Sequence, residues 1–347
     1  MKQGRTTVYN YITSEEKLKQ VNKVNIELEE DFVEYLSSTD RAKTTIGQYQ
    51  HALHILWCWN LDYNNNIPFV DFTKRQITRF QNHALNEWGW SPARIRTVKA
   101  TFRSLENFIL NILDDEYPDY KKIWDKIESP ANEPVREKSI FTTEELQGLL
   151  DYLVENKEYL KACYLALAMY SGRRKSELAR FKVSYFTDDN LICNGALYKT
   201  PEKITTKGRG SKGKLLYVYT LAKPFKPYLD LWMAERDRLG IKSEWLFPKC
   251  KNGVWSDEQI PISAFNSFSE TFSRYLGKPM YAHSLRHKFV SDLLEQNLPE
   301  AVVQSMIGWS SRDMVSVYDD RSNESQLEKY FGEEGVKNIS SVSLEDL

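Results

Sequence analysis

Apolar residues recur every three to four positions through the first third of the chain, and this spacing predicts amphipathic helices. The pattern starts at Ile26, a second helix is expected from Thr44, and a third begins near Thr73. A fourth is expected after Ser91 and Pro92, because serine caps a helix and proline fits its first turn. The residues expected to face a core are Leu28, Phe32, Tyr35, Leu36, Ile46, Tyr49, Leu53, Leu56, Trp57, Ile95, Val98, Phe102, Leu105 and Ile109. These stripes predict a small all-helical domain.

The second half of the chain combines helical patterning with short strand-like runs. A capping box, Thr142 to Glu145, opens a helix, and Tyr159–Tyr170 is apolar nearly all round, which is typical of a buried helix. Helical patterning resumes through about residue 239 and again from Ser263. Between them, polar turns separate apolar runs at 185–186, 191–193, 196–198 and 215–220. The prediction is a mostly helical domain with a small antiparallel sheet.

Two prolines and mixed charges interrupt the periodic pattern between these regions, and an exposed linker is expected there. The residues before the first helix are polar and charged, so we expect an N-terminal extension. The predicted divisions are the extension over residues 1–24, the helical domain over 25–128, the linker over 129–139, the mixed domain over 140–322 and a tail over 323–347.

The composition is typical of a folded protein. Of the 347 residues, 41% are hydrophobic and 13% aromatic, which suffices for buried cores. No apolar run is long enough to span a bilayer and the start has no apolar signal region, so a cytoplasmic protein without a membrane partner is expected. The four cysteines, without CxxC spacing, are expected to be reduced and mostly packed: Cys58, Cys163, Cys193 and Cys250.

The net charge of −1 counts against a dedicated nucleic-acid binder, which is often strongly basic. The charges are unevenly distributed, however, because acidic residues predominate after Tyr318. The stretch 199–214 has one acidic residue, Glu202, against Lys199, Lys203, Lys207, Arg209, Lys212 and Lys214. Local patches decide where phosphates bind, so a DNA partner stays open.

The second half also carries side chains that can bind or attack a phosphate: Arg174, His283, Arg286, Trp309 and Tyr318. Arginine offers a planar fork of donors that matches phosphate oxygens, and histidine and tryptophan add ring N–H donors. Tyrosine supplies an oxygen nucleophile that can form a covalent intermediate. No metal-ligand cluster and no glycine-rich nucleotide loop accompanies them, so neither a metal nor another cofactor is expected.

Three segments resemble the motifs of the tyrosine recombinases, the phage integrase family. Ser171–Leu178 is similar to the family's Thr-Gly-x-Arg-x-Ser-Glu-Leu motif, in a register that makes Arg174 the catalytic arginine. His283–His287 matches the His-x-x-Arg element. Met306–Ser311 resembles Leu-Gly-His-Ser-Ser, with Trp309 in the histidine position. Tyr318, nine residues after Trp309, stands at the family's nucleophile spacing.

The resemblance spans roughly residues 26–330, since the opening at Thr45, Ile46 and Tyr49 also looks like the family's core-binding domain. It implies a helical, SAM-like core-binding domain and a mixed α/β catalytic domain that close around duplex DNA as a C-shaped clamp. The implied activity is site-specific cleavage and rejoining of DNA through a 3′-phosphotyrosine on Tyr318, without metal or ATP. Four protomers are implied on two DNA sites, through a Holliday junction, with a monomer expected in solution.

The implied phosphate clamp consists of Arg174 and Arg286, which can neutralise charge that builds on the non-bridging oxygens. Trp309 can add an indole N–H donor. Glu177 lies three positions after Arg174 on a helix, so the two share a face and the carboxylate can orient an arginine of the site.

Cleavage also needs a base for the tyrosine and an acid for the leaving 5′-hydroxyl. His283 is expected to serve Tyr318, while His287 is equally compatible with core packing and with a supporting role. In the family the acid is a lysine on a β-hairpin, and the candidates, in order of preference, are Lys207, Lys212 and Lys214.

Three features depart from the family pattern. The predicted hairpin is longer than usual because of the stretch 208–213. Arg173 occupies a position that is usually apolar, and Asp319 and Asp320 directly follow the nucleophile position. None of these departures removes a catalytic group.

Several basic residues could track DNA phosphates, although a solvated charged face is an alternative for each one. Arg41, Lys43 and Thr44 lie at a helix N-terminus, which favours anions. The other candidates lie off the apolar stripe of the fourth helix or in the predicted hairpin: Arg94, Arg96, Lys99, Arg103, Arg209 and Lys212.

Other functions remain open within and beyond this class. A mobile-element integrase is favoured over a Xer-like dimer resolvase or an inversion recombinase. A type IB topoisomerase-like relaxase and a non-catalytic DNA-binding protein are further alternatives, and a zinc hydrolase on His283 and His287 lacks a third ligand and the usual glutamate. The tail, with Leu327, Tyr330 and Phe331, is expected to dock on a neighbouring protomer.

Overall fold

The structure is a computed structural model that describes residues 11–131, 140–206 and 213–319, together with the backbone of residues 331–332 and 335–336. The chain separates into two compact units, with residues 11–131 in the first and residues 140–206 and 214–319 in the second. Among the described residues, no helix has both the length and the apolar character needed to cross a membrane.

The described part of the first unit is helical, as the periodicity predicted. Asn22 accepts a hydrogen bond from Val24 at one helix start, Thr73 and Gln76 form a capping box at another, and Ser91 caps a third. The helices are α1 (Glu15–Leu18), α2 (Lys23–Ser38), α3 (Lys43–Tyr63), α4 (Lys74–Asn86) and α5 (Pro92–Ile112), with 3₁₀ turns at Phe69–Asp71 and Trp124–Lys126.

The core of the first unit is rich in aromatic residues. Trp124 stacks on Phe69 with ring centroids 5.9 Å apart and also contacts Phe80 and Phe102. The predicted stripes of α2, α3 and α5 are buried, apart from Tyr35, Ile46 and Tyr49, which are partly exposed. The segment after α5 therefore completes the core through Trp124.

The second unit is mostly helical with small antiparallel sheets. Its helices are α6 (Thr143–Glu155), α7 (Tyr159–Ser171), α8 (Lys175–Leu178), α9 (Ala222–Arg238), α10 (Phe265–Leu276), α11 (Ala282–Glu295), α12 (Glu300–Ile307) and α13 (Asp313–Tyr318). Its strands are β1 (Leu191–Ile192), β2 (Leu197–Lys199), β3 (Ile204–Thr206), β4 (Lys214–Leu216), β5 (Tyr219–Leu221), β6 (Pro248–Lys251), β7 (Val254–Gln259), β8 (Phe331–Gly332) and β9 (Gly335–Val336).

Helix α7 is the centre of this unit, and residues 162–168 are buried on all sides, as the all-round apolar pattern predicted. Helices α6, α9 and α11 pack around it. A second, smaller cluster joins α11, α12 and α13 through residues such as Phe289, Val303, Trp309 and Tyr318. The candidate site lies in this smaller cluster.

The sheets differ from the prediction in three places. Residues 185–186 lie in a 3₁₀ turn, Val183–Phe186, because Tyr185 bonds Glu202 and Phe186 stacks on Phe181 instead of alternating across a strand. The predicted run 215–220 forms two strands: β4 pairs with β3, whereas β5 extends the antiparallel order β1-β2-β5.

The third difference is the hairpin of β6 and β7, which was not predicted. Its turn is Asn252-Gly253, with φ values of 52° and 79°, between paired residues Lys251 and Val254. An Asn-Gly pair is a strong hairpin signal because both residues tolerate positive φ. The signal was therefore present in the sequence.

Candidate active site

Tyr318 is the last residue of α13 and is only 4% exposed. Its hydroxyl lies 3.1 Å from Nε2 of His283, near the start of α11. Its ring stacks on His287 with centroids 4.3 Å apart and lies 4.7 Å from the Trp309 ring. The structure thus brings the predicted nucleophile and base into hydrogen-bonding contact, and it places His287 directly against the tyrosine ring.

Arg286 lies one turn after His283 on α11 and has no exposed surface. Its Nη1 donates to the carbonyl of Gly172, 2.9 Å away, while Nε and Nη2 have no hydrogen-bond partner among the described residues. Its guanidinium carbon is 5.2 Å from the Trp309 ring centroid and 5.5 Å from that of Tyr318. Burial, together with the nearby Arg174, lowers the pKa of Arg286 to about 10, so it stays charged at neutral pH.

Arg174 stands at the N-cap of α8 and Glu177 at its third position. Glu177 is fully buried, and its Oε1 accepts a hydrogen bond of 3.0 Å from Nη1 of Arg174. Its Oε2 accepts from the backbone N–H of Arg174 at 3.2 Å. The carboxylate therefore fixes both the backbone and the guanidinium, in the pairing that the i,i+3 spacing predicted.

Trp309 follows Gly308, which ends α12 in the left-handed conformation with φ of 80°. Its backbone N–H bonds to the carbonyl of Gln304, which closes the helix end. The indole Nε1 is buried and has no hydrogen-bond partner among the described residues. A donor with no partner in a buried site is costly, so it marks a place where an acceptor is missing.

Arg173, which departs from the family pattern in the sequence, is part of this region in the structure. Arg173 is 1% exposed, and its guanidinium donates to the carbonyls of Met306 and Ile307 at 2.5 and 3.3 Å. Burial lowers its pKa to about 10. The sequence signal was a second arginine at a position where an apolar residue is usual.

Two of the three lysine candidates, Lys207 and Lys212, lie outside the described residues, as does the predicted DNA contact Arg209. The strands that flank them, β3 and β4, are described. Lys214, at the start of β4, donates from Nζ to the carbonyl of Gly308 at 3.2 Å. The hairpin base therefore lies against the segment that carries Trp309.

Three of the predicted phosphate contacts in the first unit, Arg41, Lys43 and Thr44, are exposed around the start of α3. Ala42 is the N-cap there and makes no side-chain capping bond. Arg94, taken as a whole residue, is also exposed, although its guanidinium carbon lies over the Trp90 ring, 5.2 Å from the centroid. These four side chains have surface positions that are compatible with the prediction.

The prediction for Lys99 was wrong. Lys99 is 1% exposed, and its Nζ donates to Gln81 Oε1 at 3.0 Å and to the carbonyl of Ile127 at 2.6 Å. Burial lowers its pKa to about 8. The segment after α5 folds back over this face, and an off-stripe position on a helix is not necessarily exposed.

The same segment also engages the two other basic residues of that face. Arg96 donates to the carbonyl of Pro130 at 2.8 Å, and Arg103 pairs with Asp125 at 2.6 Å. Both remain at least partly exposed. Their contacts fix the end of the first unit and leave less of each guanidinium for a phosphate.

Within the described ranges, no three His, Cys, Asp or Glu side chains are grouped as metal ligands. The chain's fold is helical with small sheets, and its site combines a tyrosine, a histidine and two arginines. This fold and site define the class of the tyrosine recombinases. The chain belongs to the phage integrase family, whose model matches residues 139–325.

Similar proteins fall in the same class. The SPbeta prophage-derived recombinase-like protein YomM of Bacillus subtilis (strain 168) is 26% identical over 292 residues, covering 81% of this chain and 82% of the relative. Tyrosine recombinase XerD of Staphylococcus haemolyticus (strain JCSC1435) is 26% identical, covering 80% and 88%. The chain is accordingly a tyrosine site-specific recombinase.

Among solved structures, the XerH site-specific recombinase, in a post-cleavage complex with its palindromic difH substrate, is similar with a TM-score of 0.61. The match covers 88% of this chain and 94% of that one at 16% identity. At this identity the likeness shows the fold.

Proposed function

We propose that this chain cleaves and rejoins duplex DNA at specific sites through a 3′-phosphotyrosine formed on Tyr318. The observation that carries the proposal is the 3.1 Å contact between the Tyr318 hydroxyl and Nε2 of His283. Beside this pair lie buried donors on Arg286 and Trp309 that have no partner among the described residues. A phosphodiester would supply the missing acceptors.

The cleavage step begins when the Tyr318 oxygen attacks phosphorus and its proton passes to His283. The bond between phosphorus and the 5′-oxygen breaks, and that oxygen leaves as a hydroxyl after it takes a proton from a general acid. A new ester bond between phosphorus and the Tyr318 oxygen replaces the broken one. A 5′-hydroxyl can therefore attack the phosphorus and displace the Tyr318 oxygen, with every proton transfer reversed. Rejoining therefore needs no ATP.

Arg174, Arg286 and Trp309 stabilise the charge that builds on the non-bridging oxygens during attack. Glu177 supports this role, because its buried carboxylate holds the guanidinium of Arg174 and also the backbone at the start of α8. Donors that are already fixed need little reorganisation when the charge develops.

Arg286 has no exposed surface, and the rings of Trp309 and Tyr318 lie over its guanidinium. A phosphate can therefore reach Arg286 once the Tyr318 ring shifts. We infer that DNA binding moves α13, and with it the Tyr318 ring, and so opens the pocket to the scissile phosphate.

The general acid comes from the hairpin between β3 and β4. Lys207, directly after β3, is the first choice, and Lys212 and Lys214 are the rivals. The contact between Lys214 and Gly308 supports a hairpin base close to the site. It supports none of the three lysines over the others.

DNA contacts outside the site are proposed for Arg41, Lys43, Thr44 and Arg94, which have surface positions, and for Arg209 and Lys212 in the hairpin. Phosphate contacts of this kind would position the enzyme without reading sequence. We further propose that four protomers assemble on two sites and that the tail after residue 322 docks on a neighbouring protomer.

The biological task is proposed to be integration or excision of a mobile element. The similarity to a relative described as prophage-derived supports this choice. Similarity to XerD recombinases supports dimer resolution as the second candidate.

A suicide substrate tests the proposal. The probe is a duplex that carries the candidate attachment site from the DNA flanking the gene, nicked so that cleavage cannot reverse, in EDTA. Wild type and Tyr275→Phe, at a 44% exposed tyrosine whose ring packs on Tyr152, should form an SDS-resistant adduct. Tyr318→Phe should not.

Two other results would contradict the proposal. An adduct that survives Tyr318→Phe would place the nucleophile elsewhere. DNA that shifts in a gel without any adduct, at sites from both ends of the element, would support a binding protein.

A further inference from the structure

We propose that Arg173 is a positioning residue that sets the place of Trp309 in the active site; this inference rests on the proposed function. The guanidinium of Arg173 reaches from the end of α7 to the end of α12, where it donates to the carbonyls of Met306 and Ile307. These are helix-end carbonyls, which have no partner within the helix itself. Arg173 thus links the end of α7 to the end of α12 by hydrogen bonds.

The hydrogen bonds of Arg173 affect the position of Trp309 through the end of α12. The N–H groups of Gly308 and Trp309 both bond to the carbonyl of Gln304, and the Gln304 side chain donates back to the carbonyl of Trp309 at 3.3 Å. The indole position therefore follows the last turn of α12. A shift of that turn would move the ring away from Tyr318 and Arg286, which it contacts.

Arg173 also joins Trp309 to the arginines of the site. The carbonyl of Gly172 accepts from Arg286, and the N–H of Arg174 bonds to Glu177. Three consecutive residues therefore hold the site together. Gly172 bonds Arg286, Arg173 bonds the end of α12, and the backbone of Arg174 bonds Glu177. One short segment sets the spacing of all the proposed phosphate donors.

A side chain that only fills space would not need a guanidinium at this position. Burying a guanidinium is costly, and an apolar side chain of similar volume usually packs as well or better. Here the side chain lies beside two other arginines, and burial and their charge both lower its pKa. The N–H donors of the guanidinium, and not its charge, explain why arginine suits this position. Only a long side chain with a rigid fork of donors reaches two adjacent carbonyls.

The chain offers a matched control in Arg236. This residue is 2% exposed and also donates to backbone carbonyls, those of Ser243, Trp245 and Leu246. Its hydrogen bonds involve no residue of the candidate site. Arg173→Leu and Arg236→Leu should both lower the melting temperature. A difference between their cleavage rates therefore reports on the positioning role of Arg173 and not on the loss of stability.

The test measures single-turnover cleavage of the nicked duplex at saturating enzyme, together with DNA affinity and thermal stability. At a temperature where all variants are folded, Arg173→Leu should cleave about 10- to 100-fold more slowly than wild type, with DNA affinity within about twofold. Arg236→Leu should cleave as wild type. Arg173→Lys, which can reach one carbonyl, should recover part of the cleavage rate. It replaces Arg173→Leu in the test if the leucine variant does not fold.

A double-mutant cycle with Trp309→Phe separates positioning from a direct effect. If Arg173 acts through the indole, Arg173→Leu should add little to the loss caused by Trp309→Phe. Amide exchange at Gly308 and Trp309 should quicken in Arg173→Leu and not in Arg236→Leu, whether or not the DNA probe is cleaved.

The outcomes distinguish this inference from the proposed function. A wild-type enzyme that forms no adduct contradicts the function, and the amide-exchange comparison still decides whether Arg173 fixes Trp309. A wild-type adduct with full cleavage by Arg173→Leu, additive losses in the cycle, or equal exchange in both arginine variants would overturn the positioning role.

Discussion

The carboxylate of Glu177 bonds Arg174 twice, at the guanidinium over 3.0 Å and at the backbone N–H over 3.2 Å. One buried side chain therefore fixes both the start of α8 and the direction of the arginine. The bond at the backbone is a helix cap and the bond at the side chain is an ion pair, so a single substitution should affect stability and chemistry together.

Glu177→Gln should lower both the melting temperature and the cleavage rate. The amide group keeps the volume but loses the negative charge, and loss of one partner of a buried pair commonly costs about 3 kcal/mol or more. Because Arg174 is partly exposed, we expect a smaller cost, about 1–2 kcal/mol. Glu235→Gln, from an i,i+3 pair with the exposed Arg238, should change neither quantity. Equal behaviour of the two variants would contradict an orienting role.

His283→Ala should slow cleavage without weakening DNA binding. A general base contributes roughly 10²- to 10⁴-fold to a rate, so a loss of about 100-fold or more is expected in single-turnover cleavage. His51→Ala, at an exposed position of the first unit, is the control and should cleave as wild type. A reduction below about threefold would exclude His283 as the base for Tyr318.

Gly308→Ala should destabilise the chain more than Gly277→Ala. Both glycines end helices in the left-handed region, with φ of 80° and 66°, so both substitutions carry the same backbone cost of about 1 kcal/mol. At Gly308 a Cβ would also clash with Cδ1 of Leu216, whereas nothing lies within 4 Å of a Cβ at Gly277.

The extra cost at Gly308 should be about 1–3 kcal/mol, because a methyl group is inserted into a packed contact. Thermal unfolding of the two variants measures the difference. Gly308→Ala should also slow cleavage, because the clash displaces the Trp309 segment, and adding Leu216→Ala should restore part of the rate by removing that clash. Identical stability of the two glycine variants would show that Leu216 moves aside freely.

The main residues of the site could be predicted from the sequence because each belongs to a local motif. Arg174 and Glu177 are three residues apart, and His283 and Arg286 occupy one turn of a helix, so spacing alone brings each pair together. Tyr318 was selected only by its distance from Trp309 along the chain. The contact with His283 depends on how α13 packs against α11.

Arg173 and Lys99 could not be interpreted from the sequence, because each bonds a distant backbone carbonyl. Arg173 bonds residues more than 130 positions away, and Lys99 bonds Ile127 across a folded-back segment. Every residue has a backbone carbonyl, so the sequence does not mark the one that a buried lysine or arginine will bond. In the sequence such a residue cannot be distinguished from a charged residue on the surface. The hairpin at Asn252 is a different case, since its signal was local.

The stability of the first unit should rise with pH near Lys99. The folded-state pKa is about 8 and the unfolded value is 10.5, so between these values the unfolded chain binds more protons and unfolding becomes less favourable. Between pH 7.5 and 9.5 wild type should gain about 1–2 kcal/mol relative to Lys99→Met. Urea unfolding at both pH values measures this, with Lys122→Met, at an exposed lysine, as control. Parallel profiles for wild type and Lys99→Met would contradict the shift.

The general acid can be identified by changing the leaving group instead of the enzyme. A 5′-bridging sulfur leaves as a thiolate and needs no proton, so an enzyme without its acid should cleave such DNA normally. Lys207→Ala should cleave ordinary DNA about 100-fold or more slowly and the sulfur-substituted DNA at the wild-type rate.

Lys212→Ala and Lys214→Ala are the matched comparisons in the same hairpin. Lys214→Ala should lose its bond to the carbonyl of Gly308 and cleave both substrates at equally reduced rates, since that bond positions the hairpin for either leaving group. Rescue of Lys212→Ala or Lys214→Ala by sulfur, without rescue of Lys207→Ala, would transfer the role of acid to the rescued lysine. His283→Ala should not be rescued, because the proton that it takes comes from Tyr318 and not from the leaving oxygen.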